Sequence, residues 1–116
     1  MDTPTNKSPK GWGFYETIHR SSDSWTKALT IYGGESLSLH YHEFRKELWF
    51  PLDAGLVGII NGGPALDLTV GHVYSVSQNV LHRILNPTGR DLRLIEVAVG
   101  AIDDADIIRV YDKYRS

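Results

Sequence analysis

Cysteine is absent from the 116-residue chain, which excludes a disulfide framework, a thiolate metal site and a cysteine nucleophile. No apolar run approaches the roughly 18 residues needed to cross a bilayer. The polar opening MDTPTNKSPK holds no signal-peptide core, and the expected location is cytoplasmic. Basic charge is also scarce: 12 Lys and Arg stand against 14 Asp and Glu, for a formal net charge of −2. With no Lys/Arg cluster to supply a local basic face, nucleic acid and anionic membranes are not expected as partners. What remains is ordinary for a globular protein, 41% hydrophobic and 22% charged, with length enough for one core and too little for two.

Within that composition, short runs rich in Val, Ile, Leu, Tyr and Thr are broken repeatedly by turn residues. WTKALTIY ends at Gly33-Gly34, LVGII at Asn61-Gly62-Gly63-Pro64, VLHRIL at Asn86-Pro87-Thr88-Gly89, and DLRLIEVAV at Gly100. Breaks about every 8–12 residues are the pattern of a sandwich or barrel, and segments such as ALDLTV and DLRLIEV alternate with period two. Only the end, DDADIIRVYDKYRS, leaves helix and strand both open. Residues 1–10 read as a flexible N-terminal arm and residues 11–116 as a single all-β domain. Pro51 interrupts ELWFPL, so an edge position or a bulge is expected there.

The stretch GESLSLHYHEFRKELW carries the chemistry. Leu37, Leu39 and Tyr41 alternate with Ser38, His40 and His42, so two imidazoles share one strand face, and Glu47 follows a short polar turn. A divalent metal needs at least three protein ligands, and His72 and His82 are the distant candidates; an antiparallel barrel can set the strand of His82 beside the first. His19 and His72 lack such partners and read as exposed or pocket-edge imidazoles.

Gly34, five residues, His40-x-His42, four residues and Glu47, followed by Gly71 … His82-x-x-x-Asn86, resembles the two motifs of the cupins, which are jelly-roll or double-stranded β-helix barrels. The resemblance implies that His40, His42, Glu47 and His82 are metal ligands, a set suited to Zn, Mn, Fe, Co or Ni. A narrower resemblance, from Gly11 to Tyr114, is to the type II mannose-6-phosphate isomerases. It rests on Trp12-Gly13-Phe14-Tyr15-Glu16, Gly33 to Leu39, Arg45-Lys46-Glu47-Leu48-Trp49, His82 to Pro87, Leu94 to Val97, Asp104 to Arg109, and Asp112-Lys113-Tyr114. This chain departs from that pattern with His40 for the usual Gln, Leu48 for His, and Ser77-Gln78-Asn79 for Pro-x-Gly.

The family likeness implies interconversion of mannose 6-phosphate and fructose 6-phosphate through an enediol, in a homodimer formed through edge strands. That reaction needs a Lewis acid, a base and an anchor for a phosphate dianion. Arg45 is the first candidate anchor because a planar guanidinium suits bidentate phosphate recognition; Lys27 and Arg109 are further candidates. Glu96, in the apolar strand LRLIEVAV, is the candidate base, since burial raises a carboxyl pKa toward neutrality. It can alternatively be the ion-pair partner of Arg93 or Arg109. Tyr41, Tyr74 and Trp49 read as core residues before they read as a sugar platform. Competing functions are a metallo-cupin of another class, such as an oxygenase or lyase, and a non-catalytic sugar-binding cupin.

Overall fold

Turn chemistry divides residues 7–111 into eleven strands. In a computed structural model, which describes residues 7–111, these are Lys7–Lys10 (β1), Gly13–Arg20 (β2), Ser24–Ile31 (β3), Leu39–Tyr41 (β4), Arg45–Pro51 (β5), Val57–Ile60 (β6), Leu66–Asp67 (β7), Tyr74–Val76 (β8), His82–Leu85 (β9), Leu92–Gly100 (β10) and Ile108–Tyr111 (β11). After β6, Asn61 and Gly62 take φ of 56° and 67°, the left-handed pair that Asn-Gly accepts at little cost. All pairings are antiparallel. One sheet has the order β1-β2-β3-β10-β5-β8 and the other β11-β4-β9-β6-β7. No helix occurs among the described residues, and none is long and apolar enough to cross a membrane.

The two sheets close over a core of Leu29, Ile31, Leu37, Trp49, Leu56, Leu68, Val76, Ile84, Leu92 and Leu94. Strand alternation supplies it: in β10, Leu92, Leu94, Glu96 and Ala98 are buried while Arg93 and Val99 are exposed. Asn86 is buried at the apolar end, where its Nδ2 donates to the carbonyls of Ile31 (2.8 Å) and Arg90 (2.6 Å). Gly100 ends β10 at φ 139°, close enough to the Phe44 carbonyl that a Cβ would collide with it. That approach brings the end of β10 against the turn between β4 and β5.

One local expectation changes and two open ones are decided. Residues 7–10, expected in the flexible arm, form β1, with Lys7 opposite Glu16 and Lys10 opposite Gly13; backbone pairing overrides the polar sequence KSPK. Near the C-terminus β11 is a strand, with Ile108 opposite Tyr41, while the motif Asp112-Lys113-Tyr114 lies outside the described residues. Pro51 sits opposite Leu94 without a register shift. It lies two residues past Trp49, the last β5 residue paired with β8, so it occupies a local edge and needs no bulge.

Candidate metal centre and its cavity

Because β4 and β9 pair with His40 opposite His82, two imidazoles separated by 42 residues in sequence meet across one ladder. His42 is two residues on from His40 and faces the same way; the apolar row of Leu39 and Tyr41 is the half-buried outer face. Glu47 is inward on β5, with Arg45 and Trp49 on the same row. All four candidate ligands are buried: His40 at 6%, His42 at 3%, Glu47 at 2% and His82 at 2% exposure.

Ligand nitrogens of His40, His42 and His82 lie within 4.8 Å of one another, so this buried cluster can hold a metal ion. Each ring is fixed from behind. His40 Nδ1 contacts the Ser38 carbonyl at 2.9 Å and Ser38 Oγ at 2.9 Å; His42 Nδ1 lies 2.6 Å from the Asp106 carbonyl, and His82 Nδ1 lies 2.9 Å from the Val80 carbonyl. A carbonyl only accepts, so Nδ1 carries the proton in all three neutral rings and Nε2 presents a lone pair. These contacts also set ring orientation, as second partners of metal-bound histidines do.

In front, His42 Nε2 is 2.9 Å from Glu47 Oε2, and His82 Nε2 is 3.2 Å from Glu47 Oε1. With their protons on Nδ1, neither nitrogen has a hydrogen-bond partner. Lone pairs facing a carboxylate at these distances repel unless a cation lies among them, and leaving buried polar atoms unsatisfied is costly. A divalent ion or a proton resolves the conflict; the three nitrogens form a group that could hold an ion, with the Glu47 carboxylate next to two of them. Burial pushes the Glu47 carboxyl up; in the proton-bound alternative, His42 and His82 protonated on Nε2 outweigh it and hold it well below the usual range, and against its own burial His82 is raised by the same carboxylate. His40 is driven the other way: burial, then His82, lower it to about 3, which keeps it neutral.

A cavity of ≈ 480 Å³ opens over the cluster, and Lys27, Arg45, Glu96 and Arg109 all line it. Arg45 is 5% exposed; its Nη2 lies 3.7 Å from Glu47 Oε2, and its Nε has no hydrogen-bond partner. Glu96 is raised to about 7 by burial first and by the Glu47 charge second, with Lys27 and Arg45 opposing. Its neighbour is Lys27, directly opposite it between β10 and β3, with Nζ 4.0 Å from Oε1. The suggested partner Arg93 is instead bound to Asp53 at 3.0 Å. Arg93 and Glu96 are three residues apart on a strand, hence on opposite faces.

Sequence reasoning did not single out the aromatic wall of this cavity, made by Trp12, Tyr15 and Trp25. Tyr15 and Trp25 meet edge to face at 5.9 Å, and Trp25 carries Arg20 at 3.9 Å and Lys27 at 3.8 Å from its ring centre. The WGFYE motif contained two of the three, but only β2–β3 pairing turns them toward the site. Trp49 belongs to the core and Tyr74 is partly buried against it; Trp49 Nε1 donates to Glu47 Oε1 at 3.2 Å. His19 and His72 are exposed. Asp106 was also missed, although it lies in a quoted motif, because its role depends on a contact 64 residues away.

Residues 3–112 match the family described as Mannose-6-phosphate isomerase C-terminal. The xanthan biosynthesis protein XanB of Xanthomonas campestris pv. campestris is 34% identical over 104 residues, which are 89% of this chain and 22% of that protein. The mannose-1-phosphate guanylyltransferase ManC of Salmonella typhimurium is 30% identical over 104 residues, again 89% of this chain and 22% of that protein. The chain therefore spans about a fifth of the length of these curated relatives. In fold it is similar to a conserved protein with a double-stranded β-helix domain from Klebsiella pneumoniae, with a TM-score of 0.77, 14% identity, and 92% of each chain covered. The fold is the cupin barrel expected from the sequence.

Proposed function

The chain belongs to the mannose-6-phosphate isomerase C-terminal family of cupins, and from that premise we propose that it is a metal-dependent aldose–ketose isomerase interconverting mannose 6-phosphate and fructose 6-phosphate. The observation that carries the proposal is the buried group of His40, His42, Glu47 and His82, whose lone pairs call for a cation, with His40, His42 and Glu47 lining a cavity that also holds Glu96 and Arg45. These four are the proposed ligands, for Zn, Mn, Fe, Co or Ni. When bound, the ion supplies a Lewis acid beside the sugar oxygens.

Glu96 is the proposed base. With its carboxyl at about 7, roughly half the molecules at neutral pH carry the ionised form that accepts a proton. It takes the proton from C2 of the aldose while the C–H electrons form the C1–C2 double bond and the carbonyl electrons move to O1, which takes a proton from solvent. O2 then gives its proton to solvent, balancing the first, as its electrons form the C2 carbonyl and the C1–C2 π electrons take the proton back from Glu96 at C1. Arg45, buried with an unpartnered Nε, is the proposed phosphate anchor. Lys27 and Arg109 add positive field in the same cavity. Strands β1 and β8 end the larger sheet and offer edges for the homodimer we include in this reading.

A second reading has one observation in its favour. Lys27 and Arg45 each have a carboxylate at 4.0 Å or less, and Arg20 at the cavity wall is paired with Asp104 at 2.7 Å. Cations already offset in this way suit a less charged ligand, as in a metallo-cupin lyase or oxygenase or a sugar-binding cupin. Incubating the metal-loaded protein with mannose 6-phosphate in deuterated water separates the readings. The isomerase forms fructose 6-phosphate and incorporates deuterium at C1 or C2; if neither product nor exchange is seen with any of the five metals, the second reading replaces the first.

A further inference from the structure

We infer that Asp106 is a positioning residue of the metal centre, using three oxygen atoms to fix the segment His42–Phe44 that joins two proposed ligands. The inference rests on the metal reading of the histidine cluster and is independent of the reaction catalysed. Asp106 is 7% exposed. Its Oδ1 accepts the Glu43 N–H at 2.7 Å and its Oδ2 accepts the Phe44 N–H at 3.0 Å. Its main-chain carbonyl accepts from His42 Nδ1 at 2.6 Å.

A tight turn leaves its N–H groups without ladder partners, and the two that meet Asp106 are partly shielded from water, where an N–H group needs an acceptor. An ionised carboxylate meets two of them at once through charge-assisted bonds. Here the same residue also holds the ring at the head of the turn, with His42 Nε2 directed to within 2.9 Å of Glu47 Oε2. Asp106 is itself anchored: its N–H donates to the Asp103 carbonyl at 3.0 Å, the Ala105 N–H donates to Asp103 Oδ1 at 2.9 Å, and Ile108 pairs with Tyr41 two residues later. Residues 103–108 therefore brace β4 and the turn that precedes Glu47. Loss of the carboxylate frees the turn, and with it the His42 ring and the start of β5.

Asp106→Asn in the full chain tests this, because the amide offers one acceptor and turns a donor toward the other N–H. Cobalt(II) alone is the probe, read by its absorption on titration, together with nitrogen-15 shifts of the histidine rings in metal-free protein. We expect cobalt affinity to fall by about 10–100-fold, the range for losing a partner that orients a ligand. The His42 ring shifts should move away from the Nδ1–H form while those of His40 and His82 hold. A simple turn cap would lower the melting temperature and move no ring. Folded Asp106→Asn with wild-type cobalt affinity and unchanged His42 shifts overturns the inference. If the variant does not fold, the wild type decides: His42 protonated on Nε2 overturns it, and a slowly exchanging Nδ1–H supports it. Wild-type protein that binds no cobalt defeats the metal reading itself, and the His42 tautomer then shows separately whether the Asp106 contact forms.

Discussion

Inward side chains along β10 run Leu92, Leu94, Glu96 and Ala98; on its neighbour β5, read in the opposite direction, they run Pro51, Trp49, Glu47 and Arg45. On β3, also antiparallel to β10, the same row runs Ile31, Leu29, Lys27 and Trp25. Glu96 lies opposite Lys27 on β3 and Trp49 on β5, and Glu47 lies opposite Ala98 one step further on, so charged side chains enter all three rows toward the same end of the barrel. At the apolar end the buried polar side chain Asn86 is satisfied by backbone partners. At the charged end His42 Nε2, His82 Nε2 and Arg45 Nε are buried without hydrogen bonds. Buried charge adds little stability even when paired, so the apolar end holds the barrel together and the other end is shaped for ligands.

Cutting the apolar end gives the largest expected effect on folding. Leu94 is 0% exposed and lies within the core, and Leu94→Ala removes its contacts and leaves a cavity, for a loss of about 2–5 kcal/mol. Urea denaturation measures that loss. Cobalt affinity of the folded variant should stay near the wild-type value; a parallel fall in affinity would mean that the two ends are not separable.

Cutting the charged end works in the opposite direction. The Glu96 carboxyl rises from 4.5 to about 7, through burial first and the Glu47 charge second. A group whose folded-state pKa is raised contributes its full stability below the unfolded value and loses it as pH climbs through the folded value. Glu96→Gln carries no such loss. Its stability relative to wild type should grow between pH 4.5 and about 7, reaching on the order of 3 kcal/mol, while turnover falls about 100- to 10,000-fold. Denaturation at pH 4.5 and at about pH 8 checks the first part. A difference that does not vary with pH would place the ionised carboxylate in a well-solvated or fully paired setting.

That division was half legible in the sequence. His40 and His42 two residues apart, Glu47 after a short turn and the breaks at glycine and asparagine are local patterns, and local patterns specify strands and their faces. Even the Arg93–Glu96 pairing is contradicted by parity alone, since their side chains leave opposite faces of β10. What could not be read is whatever depends on register between distant strands. Lys27 becomes the neighbour of Glu96 only when β3 aligns with β10, and Asp106 meets His42 only when residues 103–108 fold back over β4. The strand β1 was hidden for a related reason: KSPK has little strand character, and its structure comes from pairing with β2.

The smallest expected effect is at the mouth of the cavity, where the charged end meets solvent. Arg20 Nη1 and Asp104 Oδ1 are 2.7 Å apart, with side chains 37% and 75% exposed. Water screens such a pair, so Asp104→Asn should change stability by less than about 1 kcal/mol. Its consequence for binding is more telling. The Arg20 guanidinium also rests 3.9 Å from the Trp25 ring centre, so it stays at the mouth when Asp104 loses its charge, and its positive field is then uncompensated. An approaching sugar phosphate should feel that field: KM should fall by up to about fivefold at unchanged kcat, the signature of a contact made equally in the ground and transition states. The gain should fade at about 0.5 M salt, where the screening length is only a few ångströms. An unchanged KM at low salt would confine anion recognition to the buried residues below, Arg45 foremost. A KM that rises would make the intact Arg20–Asp104 pair part of the binding surface and favour a ligand less charged than a phosphate dianion.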